Sequence, residues 1–136
     1  MSNNNVECIK LSLPLNSAYV SAARLTASSV ANRLGFETDE IEDIKAAVSE
    51  SCTYIIKKQP IETSVSSAHE NFTIKFFLGE NALSVEITTH GPLSGEQDGM
   101  SIIMIKALMD DVTITEEPDG ATIIMSKEHK ESRLFE

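Results

Sequence analysis

The first third of the chain changes from a two-residue to a helical hydrophobic period. Residues 6–13 alternate apolar and polar side chains, which predicts a strand that Pro14 ends. After this strand, either Asn16 or Ser17 can cap a helix. Apolar residues then recur at three- and four-residue spacing until Gly35, a residue typical of the position after a helix.

A second amphipathic helix is predicted to begin at Thr38 or Asp39 and to end before Pro60. Asp39 and Glu42 have the spacing of a capping box, and the early acidic residues suit the positive end of a helix. The apolar stripe of this helix consists of Ile41, Ile44, Ala47, Val48, Cys52 and Ile55.

The second half of the chain is predicted to contain two hairpins and one helix. Residues 59–71 are polar and loop-like, and two alternating segments then flank the turn sequence at 79–81. Residues 90–98 form a loop rich in Gly, Pro and Ser. A helix is expected from Gly99 to about Asp110, followed by two strands around a turn at 118–120.

The predicted order is β-α-α-β-β-α-β-β. Because most strands are joined by hairpins, we expect an α+β two-layer sandwich with a mostly antiparallel, mixed sheet and helices on one face. A length of 136 residues is that of a single domain, 1–136. The charged tail from about residue 128 is expected to fray.

Composition excludes several classes of function. A hydrophobic content of 41% excludes a disordered chain, and no apolar run approaches the length of a membrane helix. The first residues lack the features of a secretory signal, and the two cysteines form no metal-type cluster, so we expect a cytoplasmic protein. The formal net charge of −10 argues against nucleic-acid binding and is compatible with a basic protein partner.

Four stretches of sequence together carry a resemblance to a known family. They are Ala-Arg-Leu-Thr at 23–26, the run from Asp39 to Glu50, the run from Ile105 to Val112, and Gly-Ala-Thr at 120–122. Their order and spacing resemble the anti-sigma factor serine/threonine kinases of the GHKL (Bergerat-fold) ATPase superfamily over nearly the whole chain. The resemblance implies a histidine-kinase-like ATPase fold.

In that family the second helix supplies a general-base Glu and, four residues later, an Asn that holds magnesium. Glu50 matches the first position, and Tyr54 stands at the second. The spacing places both on one face of the helix. A phenol cannot replace an amide oxygen as a magnesium ligand, and its ring would fill the space of the ion. The alternative for Tyr54, compatible with the first, is a half-buried aromatic packed under the sheet.

The resemblance places an adenine-binding Asp-x-Gly motif at Thr89-His90-Gly91. Thr89 stands where the family has Asp, so a contact to adenine would lose its charge assistance. His90 could act as a base, but a lone loop histidine is more often exposed and without a role. Thr122 matches a family position near the adenine, and as structure it is a residue after a turn.

A phosphate-binding Gly-x-Gly motif is matched by Gly99-Met100-Ser101, in which Ser101 replaces the second glycine. If Asp98 caps the helix, its carboxylate engages the N–H groups that a phosphate would need and repels the phosphate. The simpler interpretation is a helix start without a ligand. Only the seven residues 92–98 separate Gly91 from Gly99, which is short for the nucleotide lid of the family.

These departures favour a protein that has kept the fold and lost the ATP chemistry, with Glu50 as a vestige and no cofactor or metal. Three hypotheses follow: a non-catalytic regulator in a sigma-factor partner-switching circuit, an active ATP- and magnesium-dependent serine kinase of an anti-anti-sigma protein, or a stand-alone dimerising or ligand-sensing module. The resemblance implies a homodimer and a sigma factor or anti-anti-sigma protein as partner. It also implies partner contact at Arg24, which could equally be an ordinary surface arginine.

Overall fold

A computed structural model of the chain describes residues 6–59, 71–95 and 98–129. Within them the order of elements is the predicted one. The strands and helices are β1 (Glu7–Pro14), α1 (Val20–Arg33), α2 (Thr38–Lys57), β2 (Asn71–Leu78), β3 (Ala82–His90), α3 (Gly99–Leu108), β4 (Asp111–Glu117) and β5 (Gly120–Glu128). Most of the predicted 59–71 loop lies outside the described residues.

The five strands form one sheet in the order β1-β2-β3-β5-β4, and each of its four pairings is antiparallel. The expected α+β class is confirmed, and no parallel pair occurs among the described strands. Alternate residues of β2, β3 and β5 are buried, as expected when helices cover one face of a sheet. The largest fully buried side chains include Phe72, Phe76, Ile44, Ile55, Ile74 and Leu83.

The other face of the sheet carries a row of hydroxyl side chains that crosses all five strands. The strand register places Ser12 opposite Thr73, Thr73 opposite Thr88, Thr88 opposite Thr122, and Thr122 opposite Thr115. Cross-strand pairs of this kind contribute to sheet stability, and threonine suits a partly exposed strand position.

The ends of the first two helices differ in detail from the sequence prediction. Asn16 does cap a helix, but the capped element is a single 3-10 turn, Ser17–Tyr19, that precedes α1. Gly35 follows α1 with φ +87°, the left-handed conformation that glycine adopts at low cost.

The predicted start of α2 at Thr38 is confirmed, but the predicted capping box of Asp39 and Glu42 is wrong. The box is formed by Glu37, the N-cap, and Glu40: the backbone N–H of Glu37 donates to Glu40 Oε1 at 2.9 Å. Phe36, just before the cap, is buried in the core, and we attribute the position of the cap to this anchor.

The predicted fraying from residue 128 is wrong for the first two residues of the tail. Glu128 belongs to β5, and the His129 ring stacks on Phe36 with 5.0 Å between centroids. The rest of the tail lies outside the described residues. None of the helices in the described ranges is long and apolar enough to cross a membrane.

Candidate functional site

The candidate site lies where the second half of α2 meets the start of α3. α2 packs against both α1 and α3, so it lies between them over the sheet. Glu50 and Tyr54 are one helical turn apart on α2, as their spacing predicts. Glu50 is half-buried and Tyr54 is buried, with 2% of its surface exposed.

Glu50 contacts the first turn of α3 through Ser101. The Ser101 hydroxyl lies 2.7 Å from Glu50 Oε2 and 3.0 Å from Asp98 Oδ2. A serine hydroxyl has one proton to donate, so the two carboxylates share a single side-chain donor. Ser101 is itself buried, which makes this contact part of the packing between α2 and α3.

Asp98 is the N-cap of α3, as the sequence predicted. Its Oδ1 accepts from the backbone N–H groups of Met100 at 3.2 Å and Ser101 at 3.4 Å. Hydrogen bonds from the Ser101 hydroxyl and backbone, with the Lys57 charge as a smaller cause, lower the pKa of Asp98 below its ordinary value. The donors at this helix N-terminus are therefore engaged by a carboxylate of the chain itself.

Tyr54 connects α2 to the edge strand β4. Its hydroxyl donates to Glu116 Oε2 at 2.7 Å, a short bond to a charged acceptor. Burial of the ring, followed by the hydrogen bond and charge of Glu116 and then the charge of Asp98, raises the pKa of Tyr54 well above its ordinary value. Tyr54 is thus both a core residue and a hydrogen-bond donor.

Lys58 and Ser94 join the end of α2 to the loop after β3. The Lys58 carbonyl accepts from the Ser94 backbone N–H at 2.7 Å and from its hydroxyl at 3.1 Å. The Lys58 ammonium donates to the Ser94 carbonyl at 3.3 Å and lies 5.5 Å from the centre of the Tyr54 ring. The contacts connect the loop, α2 and β4 through Tyr54.

Sequence reasoning did not identify Glu116, Lys58 or Ser94 as members of the site. The partners Tyr54 and Glu116 are 62 residues apart, and only the fold brings them together. An acidic residue on an edge strand and a lysine after a helix are common surface features, so neither gave a usable signal.

A second group of predicted residues lies at the end of β3. Thr89 is buried on the inner face of the sheet, and its hydroxyl makes one long hydrogen bond, 3.4 Å, to the His90 carbonyl. His90 is exposed. Gly91 has φ +85° and donates its N–H to the Asp119 carbonyl at 2.9 Å. Gly91 therefore occupies a turn in the left-handed conformation that glycine adopts at low cost.

Thr122 does not share the inner face of the sheet with Glu50. It alternates with the buried residues of β5 and lies in the hydroxyl row of the open face. At the inner position opposite Thr89 stands Ala121, which is buried. Thr89 and Thr122 line a common depression of about 220 Å³ at the end of the sheet. The structure therefore brings Thr122 together with Thr89, the residue at the other adenine position of the resemblance, and the role of Thr122 near an adenine stays a prediction.

The two remaining predicted residues lie on helices. Gly99 begins α3 in ordinary helical backbone, and a Cβ atom there would meet open space, so its lack of a side chain is not required by packing. Arg24 is half-buried on α1, and within the described residues it makes no hydrogen bond or ion pair. Arg24 lies on α1, and α2 lies between α1 and α3.

The cluster formed by Glu50, Ser101 and Asp98 offers anionic oxygens at the point where the helix dipole of α3 is positive. Its carboxylates can accept hydrogen bonds and attract cations, whereas the two closest N–H donors are engaged. Among the residues the structure describes, no group of three or more His, Cys, Asp and Glu side chains is arranged to hold a metal ion.

The family model described as the histidine kinase-like ATPase domain matches residues 13–127. The serine-protein kinases RsbW of Bacillus mycoides (strain KBAB4) and Bacillus cereus (strain G9842) are each 32% identical over 137 residues, which cover 89% of this chain and 84% of the relative.

Two solved structures share the fold of this chain. The RsbU and RsbW domains of Rv1364c from Mycobacterium tuberculosis match with a TM-score of 0.71 and 17% identity, over 90% of this chain and 32% of that chain. The histidine kinase domain of the blue-light activated histidine kinase EL346 from Erythrobacter litoralis matches with a TM-score of 0.54 and 14% identity, over 98% of this chain and 72% of that chain.

Proposed function

The chain belongs to the histidine kinase-like ATPase domain family, and from this membership we propose that it is a non-catalytic regulator in a sigma-factor partner-switching circuit. It acts by binding a sigma factor or an anti-anti-sigma protein. Relatives named serine-protein kinase RsbW, similar over 89% of the chain, support the regulatory role. Because sigma factors are cytoplasmic, the proposed place of action is the cytoplasm.

The observation that carries the non-catalytic part of the proposal is the contact between Glu50 and Ser101. The Glu50 carboxylate stands at the general-base position of the family. It accepts a 2.7 Å hydrogen bond from the hydroxyl of Ser101, the residue that replaces the second glycine of the phosphate loop. Ser101 in turn contacts Asp98, which engages the helix N–H groups. A triphosphate would meet two carboxylates in place of free donors, and like charges repel strongly at such short range.

Tyr54 also argues against binding of a magnesium nucleotide at this site. Magnesium takes oxygen ligands in an octahedral arrangement, and in this family an Asn supplies one of them. Here the hydroxyl of Tyr54 is directed to Glu116, and the raised pKa of Tyr54 keeps the phenol neutral. The residues present therefore fit a magnesium nucleotide poorly, and we derive no phosphoryl-transfer step for this chain.

Calorimetric titration with Mg-ATP tests the non-catalytic part. We expect no binding at micromolar nucleotide and no transfer of radiolabelled phosphate to an anti-anti-sigma protein of the source genome. The matched variant is Asp98→Asn with Ser101→Gly, which restores a Gly-x-Gly sequence and removes one carboxylate charge. Micromolar binding by the unaltered chain, with phosphate transfer, would establish the alternative of an active serine kinase.

Two observations support the alternative of an active serine kinase. Glu50 keeps the general-base position, and the relatives at 32% identity are named kinases. Because a positioned base without a positioned phosphate gives no reaction, we rank kinase activity second.

Arg24 is our proposed partner contact. Arg24 is half-buried as a residue, and its guanidinium makes no ion pair with the described residues, so this group can form a bidentate pair with a carboxylate of a partner. We expect Arg24→Ala to weaken capture of a sigma factor by about tenfold or more. Arg33→Ala, which changes an exposed arginine of the same helix, is the matched control.

If the chain captures neither a sigma factor nor an anti-anti-sigma protein, the third hypothesis, a stand-alone module, is favoured.

The expected homodimer is tested by measuring the molar mass of the chain with light scattering as it elutes from a size-exclusion column. A monomer at all concentrations would contradict that part of the proposal.

A further inference from the structure

The outer side of α3 carries apolar residues that no part of the described structure covers. Met100, Ile103 and Met104 are 69%, 65% and 44% exposed. With the exposed Ala107 they follow the i, i+3, i+4, i+7 spacing of one helix face. We refer to these four residues as the α3 stripe.

The α3 stripe is not needed for the core of this domain. The opposite side of α3 already packs inward through Ser101 and Ile105, which are buried. The three large side chains form one contiguous exposed apolar row, and the largest apolar patch on a monomeric protein is often functional. Two of the three are methionines, whose flexible side chains adapt to different partner surfaces.

The charges beside the stripe are mostly negative. Asp98 precedes its first residue, and Asp110 and Asp111 follow the end of the helix, all three exposed. Lys106 is the one basic residue within α3. The whole chain has a formal net charge of −10.

We propose that the α3 stripe is the docking surface for an amphipathic helix of another protein, whose apolar face covers the stripe and whose flanking lysines or arginines meet the acidic ends of α3. Helix-on-helix docking of this kind uses anchors at i, i+3, i+4 and i+7. The opposite charges set the orientation of the bound helix and exclude acidic competitors.

A second copy of this chain fits the stripe less well. In a two-fold antiparallel pair of α3 helices, Asp98 of one copy would approach Asp110 and Asp111 of the other, and these like charges repel. The stripe therefore suits contact with a basic partner.

This surface lies on the other side of α2 from Arg24, and the proposal goes beyond the function proposed above. It is tested with a synthetic probe, so its outcome does not depend on capture of a sigma factor. The probe is a fluorescein-labelled helical peptide with leucines at i, i+3, i+4 and i+7 and lysines beside them. A second peptide has glutamates in place of the lysines.

Fluorescence anisotropy at low ionic strength measures binding. We expect the chain to bind the lysine peptide, to bind the glutamate peptide at least about tenfold more weakly, and to lose about tenfold or more of its affinity for the lysine peptide on Ile103→Glu. Ile103→Glu adds a negative charge, which on charge alone would strengthen binding of a basic peptide. A loss therefore reports the apolar contact.

The matched control is Leu25→Glu, which adds the same charge at an exposed position (71%) on α1. We expect it to leave affinity within about twofold of the unaltered chain. Circular dichroism checks that both variants remain folded. Three results would each overturn the proposal: no binding of the lysine peptide, equal loss in both variants, or dissociation of a dimer by Ile103→Glu, which would assign the stripe to a second copy.

Discussion

Removal of the Tyr54 hydroxyl isolates the contact between α2 and the edge strand. Tyr54→Phe keeps the buried ring and deletes the donor of the 2.7 Å bond to Glu116. Glu116 is exposed, so its carboxylate regains water when the phenol is removed. No buried polar group is left without a partner, and the cost is that of the hydrogen bond alone.

The expected loss is about 1.5 kcal/mol in the free energy of unfolding, the lower end of the range for a hydrogen bond to a charged group, because this acceptor can turn to solvent. For a domain of this length, that is a fall of about 4–8 °C in melting temperature. Urea unfolding followed by circular dichroism measures it. A double-mutant cycle with Glu116→Gln separates the pair energy from the separate effects of each change.

The stability that the contact between Tyr54 and Glu116 contributes is lost at alkaline pH. The pKa of Tyr54 in the folded chain is raised above its ordinary value of 10.0. The stability contributed by the neutral phenol is therefore fully present below pH 10 and is lost as the pH rises above 10, by at most about 1.4 kcal/mol per pH unit. Tyr54→Phe removes this part of the alkaline loss.

The chain contains two tyrosines, Tyr19 and Tyr54, and no tryptophan. Tyr19→Phe therefore leaves Tyr54 as the one phenol that contributes to the ultraviolet tyrosinate signal. In this variant we expect the signal to develop only above pH 10 or on unfolding, because the pKa of Tyr54 is raised. A tyrosinate signal near pH 10 from Tyr19→Phe, with the circular dichroism of the folded chain unchanged, would refute the buried, hydrogen-bonded Tyr54.

Two further predictions concern packing and thiol access. Gly120→Ala would place a Cβ atom 2.6 Å from the Thr89 carbonyl oxygen. We expect the free energy of unfolding, measured in urea, to fall by about 1–3 kcal/mol. The control Gly99→Ala, whose Cβ atom meets open space, should stay within about 1 kcal/mol of the unaltered chain, and equal stabilities of the two variants would contradict the close approach at Gly120. Burial raises the pKa of Cys52 to about 12, whereas Cys8 is exposed. With Ellman's reagent, we expect the Cys8 thiol to react in the folded chain and the Cys52 thiol to react only in urea. Prompt reaction of both thiols in the folded chain would show that Cys52 is accessible.

The order of elements was predictable because local signals agreed with the fold. Gly35 ends α1 in the left-handed conformation that the sequence suggested, and the turn at 79–81 joins two antiparallel strands. Asp98 caps α3 through its side chain. The resemblance to the histidine kinase-like ATPases, read from order and spacing, is confirmed by the family match.

The start of α2 at Thr38 was predictable, but the residues of its capping box were not predictable from local chemistry alone. Asp39 is a better N-cap residue by preference than Glu37, yet Glu37 occupies the cap. Burial of Phe36 outweighs that preference, because a large side chain removed from water is worth more than the difference between two capping residues.

The composition of the site depended on contacts that sequence spacing cannot supply. Helical spacing placed Glu50 and Tyr54 together correctly. The strand register, however, decides that Ala121 rather than Thr122 faces the same side as Thr89. A shift of one residue changes the face of a strand, and no single-sequence signal fixes the register of β3 against β5.

The hydroxyl row on the open face of the sheet has a consequence for the architecture as a whole. Four of its five members are β-branched threonines, which suit strand positions, and all five carry a hydroxyl that can hydrogen-bond to water. Within the described part of the chain, the large buried side chains lie on the face that the helices cover. An antiparallel sheet of this kind can present its other face to water without a second layer.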